Sequence, residues 1–409
     1  MPERGMLIFV SDIHLTDHLR AGSISKAALF DRFWVRIAAA RRERKATLVF
    51  VGDVFDLVRS PTWLATPQRP YHEASAEVVA VVERIVDGIL AREAEFCGRI
   101  RAQVQAGALD IRYVLGNHDR LLAHAPRARR RIWQALTGED REVELPAELV
   151  FPEHGVLAFH GHRTDFICHE PDGAAPIGDA IGTDLIVRFP HELRARVGQA
   201  MPELDDIDDV RPIFTVPAWV RSFAARHRGL MEETTAVWRA VVEDFFASPF
   251  VRDWMRAHRR VGLSEAQKLK LLLQLSTGRF LRKTGDHRLA QIYRFFQQVF
   301  DGRFAAQAAR LLESGEYRGL RYVVNGHSHF ASMVPLGQVD GNTACYFNTG
   351  TWRTVHQMGR LMGGRPAFLP YEAMSYLVFF PSGDSHGRDY EWWTGAMVPV
   401  AAESGAHES

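Results

Sequence analysis

Cysteine is scarce in this chain: Cys97, Cys168 and Cys345 stand far apart among 409 residues. So odd and scattered a set offers no disulfide framework and no paired-cysteine metal knuckle, and it fits a reducing compartment. Long apolar runs are missing too. Nothing approaches the roughly 20 residues needed to cross a bilayer, and Met1-Pro2-Glu3-Arg4 before a short apolar run has no secretory-leader pattern. A cytoplasmic location is expected, with peripheral membrane contact left open. Charge of one sign is lacking: 50 Lys and Arg against 49 Asp and Glu leave a formal net charge of +1, whereas proteins that track nucleic acid carry a clearly basic face. No internal repeat is visible, and nothing sets the oligomeric state. The remaining composition, 46% hydrophobic and 24% charged, is ordinary for a globular chain, and the length suits a core plus a large insertion.

Against this plain background, five short apolar runs each break off into a cluster of Asp, Asn or His. The runs are Leu7–Val10, Leu48–Val51, Ile111–Leu115, Val156–Phe159 and Leu320–Val324. The clusters that follow are Asp12-Ile13-His14, Gly52-Asp53-Val54-Phe55-Asp56, Gly116-Asn117-His118-Asp119, His160-Gly161-His162 and Gly326-His327-Ser328-His329. Short runs rich in β-branched and aromatic residues, bounded by Gly or polar residues, read as buried strands. Each cluster therefore sits at a strand's C-terminal end, the edge where loops of an α/β sheet converge. Imidazole and carboxylate together suit Mn, Fe, Zn or Co, and none of the three cysteines falls in a cluster.

The ordered set D-x-H, G-D-x-x-D, G-N-H-D, H and G-H-x-H resembles the signature of the calcineurin-like metallophosphoesterase superfamily, over roughly residues 6–165 and 318–355. The resemblance implies an α/β fold, a four-layer α/β/β/α sandwich, and two divalent metal ions, with manganese the expected one. It implies that Asp12, His14, Asp53 and His329 hold one ion and that Asp53, Asn117, His160 and His327 hold the other. Two cations about 3.5–4 Å apart need a shared anionic ligand, and water between them loses its proton near neutral pH. A bridging hydroxide would then attack phosphorus in line. His118 is the expected proton donor to the leaving alkoxide, with Asp119 orienting its ring. Asp56 is expected behind the ligands, accepting a hydrogen bond from an imidazole; His162 has no assigned role.

Ile24 to Arg44 reads as an amphipathic helix, and Glu73 to Gln105 as further helix before the third strand. The division expected is 1–165 core, 166–318 mostly helical cap, 319–400 core and 401–409 disordered tail. Within the cap, Asp165 to Pro217 reads as irregular or short helices, while Trp219 to Arg260 and Ser264 to Leu312 have apolar residues at helical spacing. Trp219, Phe223, Trp238 and Trp254 read as core more than as a ligand groove. Glu203, Asp205, Asp206, Asp208 and Asp209 read as a solvated linker, and Arg127, Arg129, Arg130 and Arg131 as a solvated helix face. Asn348 and Thr349 are expected to cap a turn, and Met374 to Phe380 to be a final strand closing the second sheet.

The reading is a phosphoester hydrolase acting on a small-molecule phosphodiester or pyrophosphate. DNA or RNA, a phosphoprotein, and a catalytically inert protein-binding scaffold are the alternatives. The architecture is similar to UDP-2,3-diacylglucosamine hydrolase-like members of the superfamily. Those typically have Arg in place of His118 and a much shorter insertion, so their activity is not assigned here.

Overall fold

The computed structural model describes residues 5–18, 24–258, 302–360, 366–381 and 387–397, and single positions 267, 270 and 273. In chain order its strands are β1 (Met6–Val10), β2 (Ala46–Val51), β3 (Leu109–Val114), β4 (Glu148–Phe151), β5 (Val156–Phe159) and β6 (Val210–Arg211). They continue with β7 (Tyr322–Asn325), β8 (Ser332–Val339), β9 (Asn342–Asn348), β10 (Thr354–Arg360), β11 (Pro366–Phe379) and β12 (Tyr390–Met397). Two mixed sheets result, an α/β architecture. One has the order β3-β2-β1-β11-β10-β6 with β12 on β11, and the other β4-β5-β7-β9-β8. The five apolar runs are β1, β2, β3, β5 and β7. Parallel pairing of β1 with β2 and of β2 with β3 sends three ligand loops off one edge. Parallel pairing of β5, β7 and β9 does the same in the second sheet.

The two-residue period of the strands sorts their side chains. Ile8 and Val10 join Phe33, Val82, Ile85 and other residues of α1 (Lys26–Arg41), α2 (Ala76–Arg92), α3 (Ala94–Gln105) and α4 (Pro126–Thr137). Leu7 and Phe9 point the other way, into a cluster with Val156, Ala158, Val324 and Phe347 of the second sheet. Leu157, Val323 and Tyr346 in turn pack with Phe304, Ala308 and Leu312, from helical residues 302–313. Each fully buried Leu or Phe contributes about 1.5–3 kcal/mol. Helix α1 is shorter than its apolar pattern because Ser25 Oγ accepts from Ala28 N–H at its start, and Arg42 and Glu43 turn left-handed (φ 48° and 66°) at its end.

The inserted segment has a core of its own. A short helix α5 (Ile177–Ala180) runs through a wider π turn (Ile181–Val187) into α6 (Arg188–Val197); α7 (Val216–Arg226), α8 (Met231–Ala247) and α9 (Pro249–Ala257) follow. Trp219, Phe223, Trp238 and Trp254 are buried there together. Among the described residues, no helix is long and apolar enough to cross a membrane. Most of 264–301 and the tail 401–409 lie outside the described residues.

Two expectations are corrected. Met374–Phe380 is neither final nor in the second sheet: it belongs to β11, which pairs antiparallel with β1 (Leu7 opposite Phe379) and is followed by β12. An alternating pattern marks a strand but does not name its neighbour. The acidic run is no solvated linker. Residues Pro202–Asp209 form a 3₁₀ helix in which Asp208 and Asp209 are buried, and their carboxylates meet the Arg353 guanidinium. Of the α4 arginines, Arg130 pairs with Asp140 and Arg131 with Asp87 toward the outside, whereas Arg129 is largely covered and donates to the carbonyls of Leu122, Ala123 and Val143.

Candidate metal centre

All seven predicted ligands converge. Asp12 and His14 leave β1, Asp53 leaves β2 and Asn117 leaves β3; His160 leaves β5, and His327 and His329 leave β7. At the first centre His14 Nε2 lies 3.1 Å from His329 Nε2, 3.7 Å from Asp12 Oδ1 and 3.8 Å from Asp53 Oδ2. At the second, His160 Nε2 lies 3.1 Å from both Asp53 Oδ2 and Asn117 Oδ1, and Asn117 Oδ1 lies 3.0 Å from His327 Nδ1. Donors bonded at about 2.0–2.1 Å to a tetrahedral or octahedral ion sit about 3.0–3.4 Å apart. The contacts of 3.0–3.1 Å fall in that range and those of 3.7 and 3.8 Å exceed it, a grouping able to hold metal ions.

Backbone geometry tells the same story. Asp12, His14, Asp53, His327 and His329 all hold left-handed φ angles, between 49° and 72°. Such strain in non-glycine residues costs on the order of 1 kcal/mol or more and clusters at functional sites. The loops are laced to sustain it: Asp12 N–H donates to Gly52 C=O (3.1 Å), His14 N–H to Asp53 C=O (3.0 Å), and His327 N–H to Asp12 Oδ2 (2.9 Å). The cluster glycines are required by close approach. A Cβ at Gly52 would strike His160, one at Gly116 would strike Asp53, and one at Gly326 would strike Asp12 and Ser11.

Each imidazole is fixed through its second nitrogen. His14 Nδ1 faces Asp56 Oδ2 (3.0 Å), His160 Nδ1 faces Val51 C=O (2.8 Å), and His327 Nε2 faces Asp165 Oδ2 (3.1 Å). With those nitrogens donating, the lone pairs of the others point into the centres, as metal-binding imidazoles require. Asp12 Oδ1 is buried and accepts no hydrogen bond, and a buried carboxylate oxygen needs a cation or a donor. Burial lowers the pKa of His160, but the Asp53 and Asp12 carboxylates more than reverse this, and it rises to about 10. Surroundings that hold a proton so firmly also favour a divalent cation between the same atoms. The residues therefore fit metal binding.

His329 differs from the other three. Its Nδ1 accepts from Arg211 Nε (3.2 Å), which in a neutral ring leaves the proton on Nε2, donated toward His14. Ligation through Nε2 requires Arg211 to give up that bond. Burial, Arg211 and His14 together hold the His329 pKa well below its ordinary value.

Asp119 does not orient His118. Its carboxylate accepts from Val54 N–H (3.1 Å), Gly116 N–H (2.6 Å) and the Tyr113 hydroxyl (2.7 Å), which braces the loop. Burial, then repulsion from Asp53, raises its pKa to about 7. His118 Nδ1 instead meets Asp56 Oδ1 at 2.7 Å. Asp56 thus serves two imidazoles, His14 and His118, and adjacency in sequence misassigned the partner. Asn348 does more than cap its turn: Oδ1 accepts from Gly350 N–H (2.9 Å), and Nδ2 donates to Gly326 C=O in the loop bearing His327. The His162 ring lies 5.5 Å from that of His160 and stays outside both shells.

Sequence reasoning missed the supports contributed from outside the motifs. Arg353 bridges Asp208 (3.0 Å), Asp209 and, at 3.8 Å, Asp56, while Arg59 Nη1 binds Asp208 Oδ1 (2.8 Å). These buried pairs fasten the inserted segment to the site. No family model matches this chain, and no curated protein does either.

Proposed function

We propose that this chain is a binuclear metal-dependent phosphoester hydrolase of the calcineurin-like metallophosphoesterase type, its two sheets and outer helices forming that family's four-layer α/β/β/α arrangement. One observation supports it above the others. Seven donors from separate stretches of both sheets meet at 3.0–3.8 Å around two centres that share Asp53 Oδ2. A pair of divalent ions, manganese expected, supplies Lewis acidity toward phosphate oxygens and acidifies water at the site.

The chain's own residues orient the groups and move the proton. Asp53 and Asp12 set the negative charge, and the strained loops fix where it points. Asp56 holds His118 through Nδ1 and leaves Nε2 as the ring's second donor. Burial alone would lower the His118 pKa, yet Asp56 and Asp53 raise it overall, which favours the protonated ring. As a phosphorus–oxygen bond to water forms and the bond to the leaving oxygen breaks, that alkoxide takes the His118 proton, and the proton lost by the water passes to solvent, from which His118 is reprotonated.

Alternative readings find less support. The cavity at the site is lined by Asp165 and Asp179 as well as Arg59 and Arg211, unlike a groove for nucleic acid. Its walls include Ile167 and Phe214 of the inserted segment, where a phosphoprotein would need an open surface. An inert scaffold has no need of an intact ligand set. The test is metal analysis after loading with Mn, Fe, Zn or Co, together with turnover of an aryl phosphomonoester and the matching diester. About two ions per chain with turnover of either ester supports the reading; a chain that retains no metal, or retains it and cleaves neither ester, refutes it.

A further inference from the structure

We propose that the substrate presents one phosphate to the metal centre and places a compact apolar group beside it, so that a polyanion is the wrong partner. This rests on the hydrolase reading and concerns what lies beyond the phosphate.

A cavity of about 140 Å³ adjoins His118, His327 and His329. Beyond the candidate ligands, much of its wall is apolar, formed by Val58, Ile167, Ile213, Phe214, Phe304 and Phe330. Ile213, Phe214 and Phe330 are only partly buried, so large apolar side chains retain open surface next to the reacting position. Such surface gains from being covered by carbon and gains nothing from a second phosphate.

Charge points the same way. A site built for a pyrophosphate or an oligonucleotide needs guanidinium or ammonium groups beyond those balanced by acids. Here Arg59 is paired with Asp208, Arg353 with Asp208 and Asp209, and Arg120 with Asp179. Arg211 donates to the carbonyls of Asp208 (2.8 Å) and Val210 (3.0 Å) and to His329. Of the cavity's carboxylates, Asp53 belongs to the donor set and Asp179 is already paired with Arg120, which leaves Asp165 in the same space as Arg211. Once the ions have met one phosphate, a second would face Asp165. Of the two small-molecule classes expected from sequence, the diester with an apolar ester group is selected over the pyrophosphate.

The experiment uses the Mn-loaded full chain and 4-nitrophenyl diesters whose second ester group is methyl, propyl, butyl or hexyl, with nucleoside diphosphates and a short oligonucleotide as polyanions. Calorimetric binding of n-alkylphosphonates gives a readout independent of turnover. Expected is a rise in kcat/KM and in phosphonate affinity of about two- to fourfold per methylene until the cavity is filled. Phe214→Ser should flatten that rise, while Phe214→Leu should retain most of it; wild-type metal content in both variants reports an intact fold. A chain-length series already flat in the wild type, or a preference for the polyanions, overturns the inference and leaves the hydrolase reading standing. Metal-loaded protein that cleaves none of these compounds sinks the reading beneath it.

Discussion

The core loops and the inserted segment reach the same site by different means. The core supplies the seven candidate donors from strand ends, with left-handed backbone at five of them, and the geometry is settled over a few residues by short, laced turns. Among the described residues, the insertion supplies none of these seven donors, though its Cys168 lies within reach of Asp165 and His327. It arrives as a separately packed helical body and is fastened by buried ions, Asp208 and Asp209 against Arg59 and Arg353, then extends Arg211 to His329. Position in the core is thus set by covalent proximity and strain, whereas position in the insertion is set by electrostatics across a long chain separation. The first is insensitive to conditions that the second must feel.

The largest effect is expected at the shared ligand. Asp53→Asn should reduce bound metal below one ion per chain and lower kcat/KM by about 10³-fold or more, roughly 4 kcal/mol; full metal content by elemental analysis would contradict a bridging role. His118→Ala should keep its metal and lose about 10²–10⁴-fold in kcat. Asp56→Asn should approach it, while Asp119→Asn should mainly lower the urea midpoint; a reversal of those two would restore Asp119 as the orienting group. On the insertion side, Asp208→Ala leaves two buried guanidiniums short of an acceptor and should cost about 3–5 kcal/mol in urea unfolding of the metal-free chain. A loss below about 0.5 kcal/mol, the scale of ordinary surface changes, would mean the ion network does not fasten the segment. Arg211→Met should tighten metal binding about tenfold in a chelator competition, because it removes a cation and a donor that compete for His329; weaker binding would mean that Arg211 supports the ligand.

The smallest effect concerns pH. Burial, then repulsion from Asp209, Asp205 and Glu203, raises the Asp206 pKa from 3.8 to about 7. A carboxyl whose folded pKa lies above its unfolded one costs stability as pH climbs through that window, since the unfolded chain releases the proton first. Asp206→Asn should therefore leave the midpoint near pH 4 unchanged and raise it at pH 8, by on the order of 1 kcal/mol after discounting for partial exposure. Equal gains at both pH values would point to a cause other than ionisation.

The ligand loops were legible because their geometry is local: a strand end, a glycine forced by close approach at Gly52 or Gly116, and a polar residue immediately after. The division into helices and strands followed from periodicity for the same reason, and Trp219 and Trp238 fell into the core as their spacing implied. What failed was everything that depends on a distant partner. Asp119 and Asp56 have the same side chain, and only the turn after β3 decides which one reaches His118. Asp208 and Asp209 have the composition of a solvated run, and Arg353, far along the chain, is what buries them. Arg211 gave no sign beyond following two apolar-flanked acids. The partnership of β11 with β1 is of the same kind.

That pairing has a consequence for how the molecule is made. Strand β1 sits at the middle of its sheet with β2 on one side and β11 on the other, so the second neighbour emerges from the ribosome only after the inserted segment has been made. Until residues 377–379 are available, one hydrogen-bonding edge of β1 stays open. Newly synthesised chains must protect that edge in the meantime, and the segment between has time to pack by itself before the sheet closes around it.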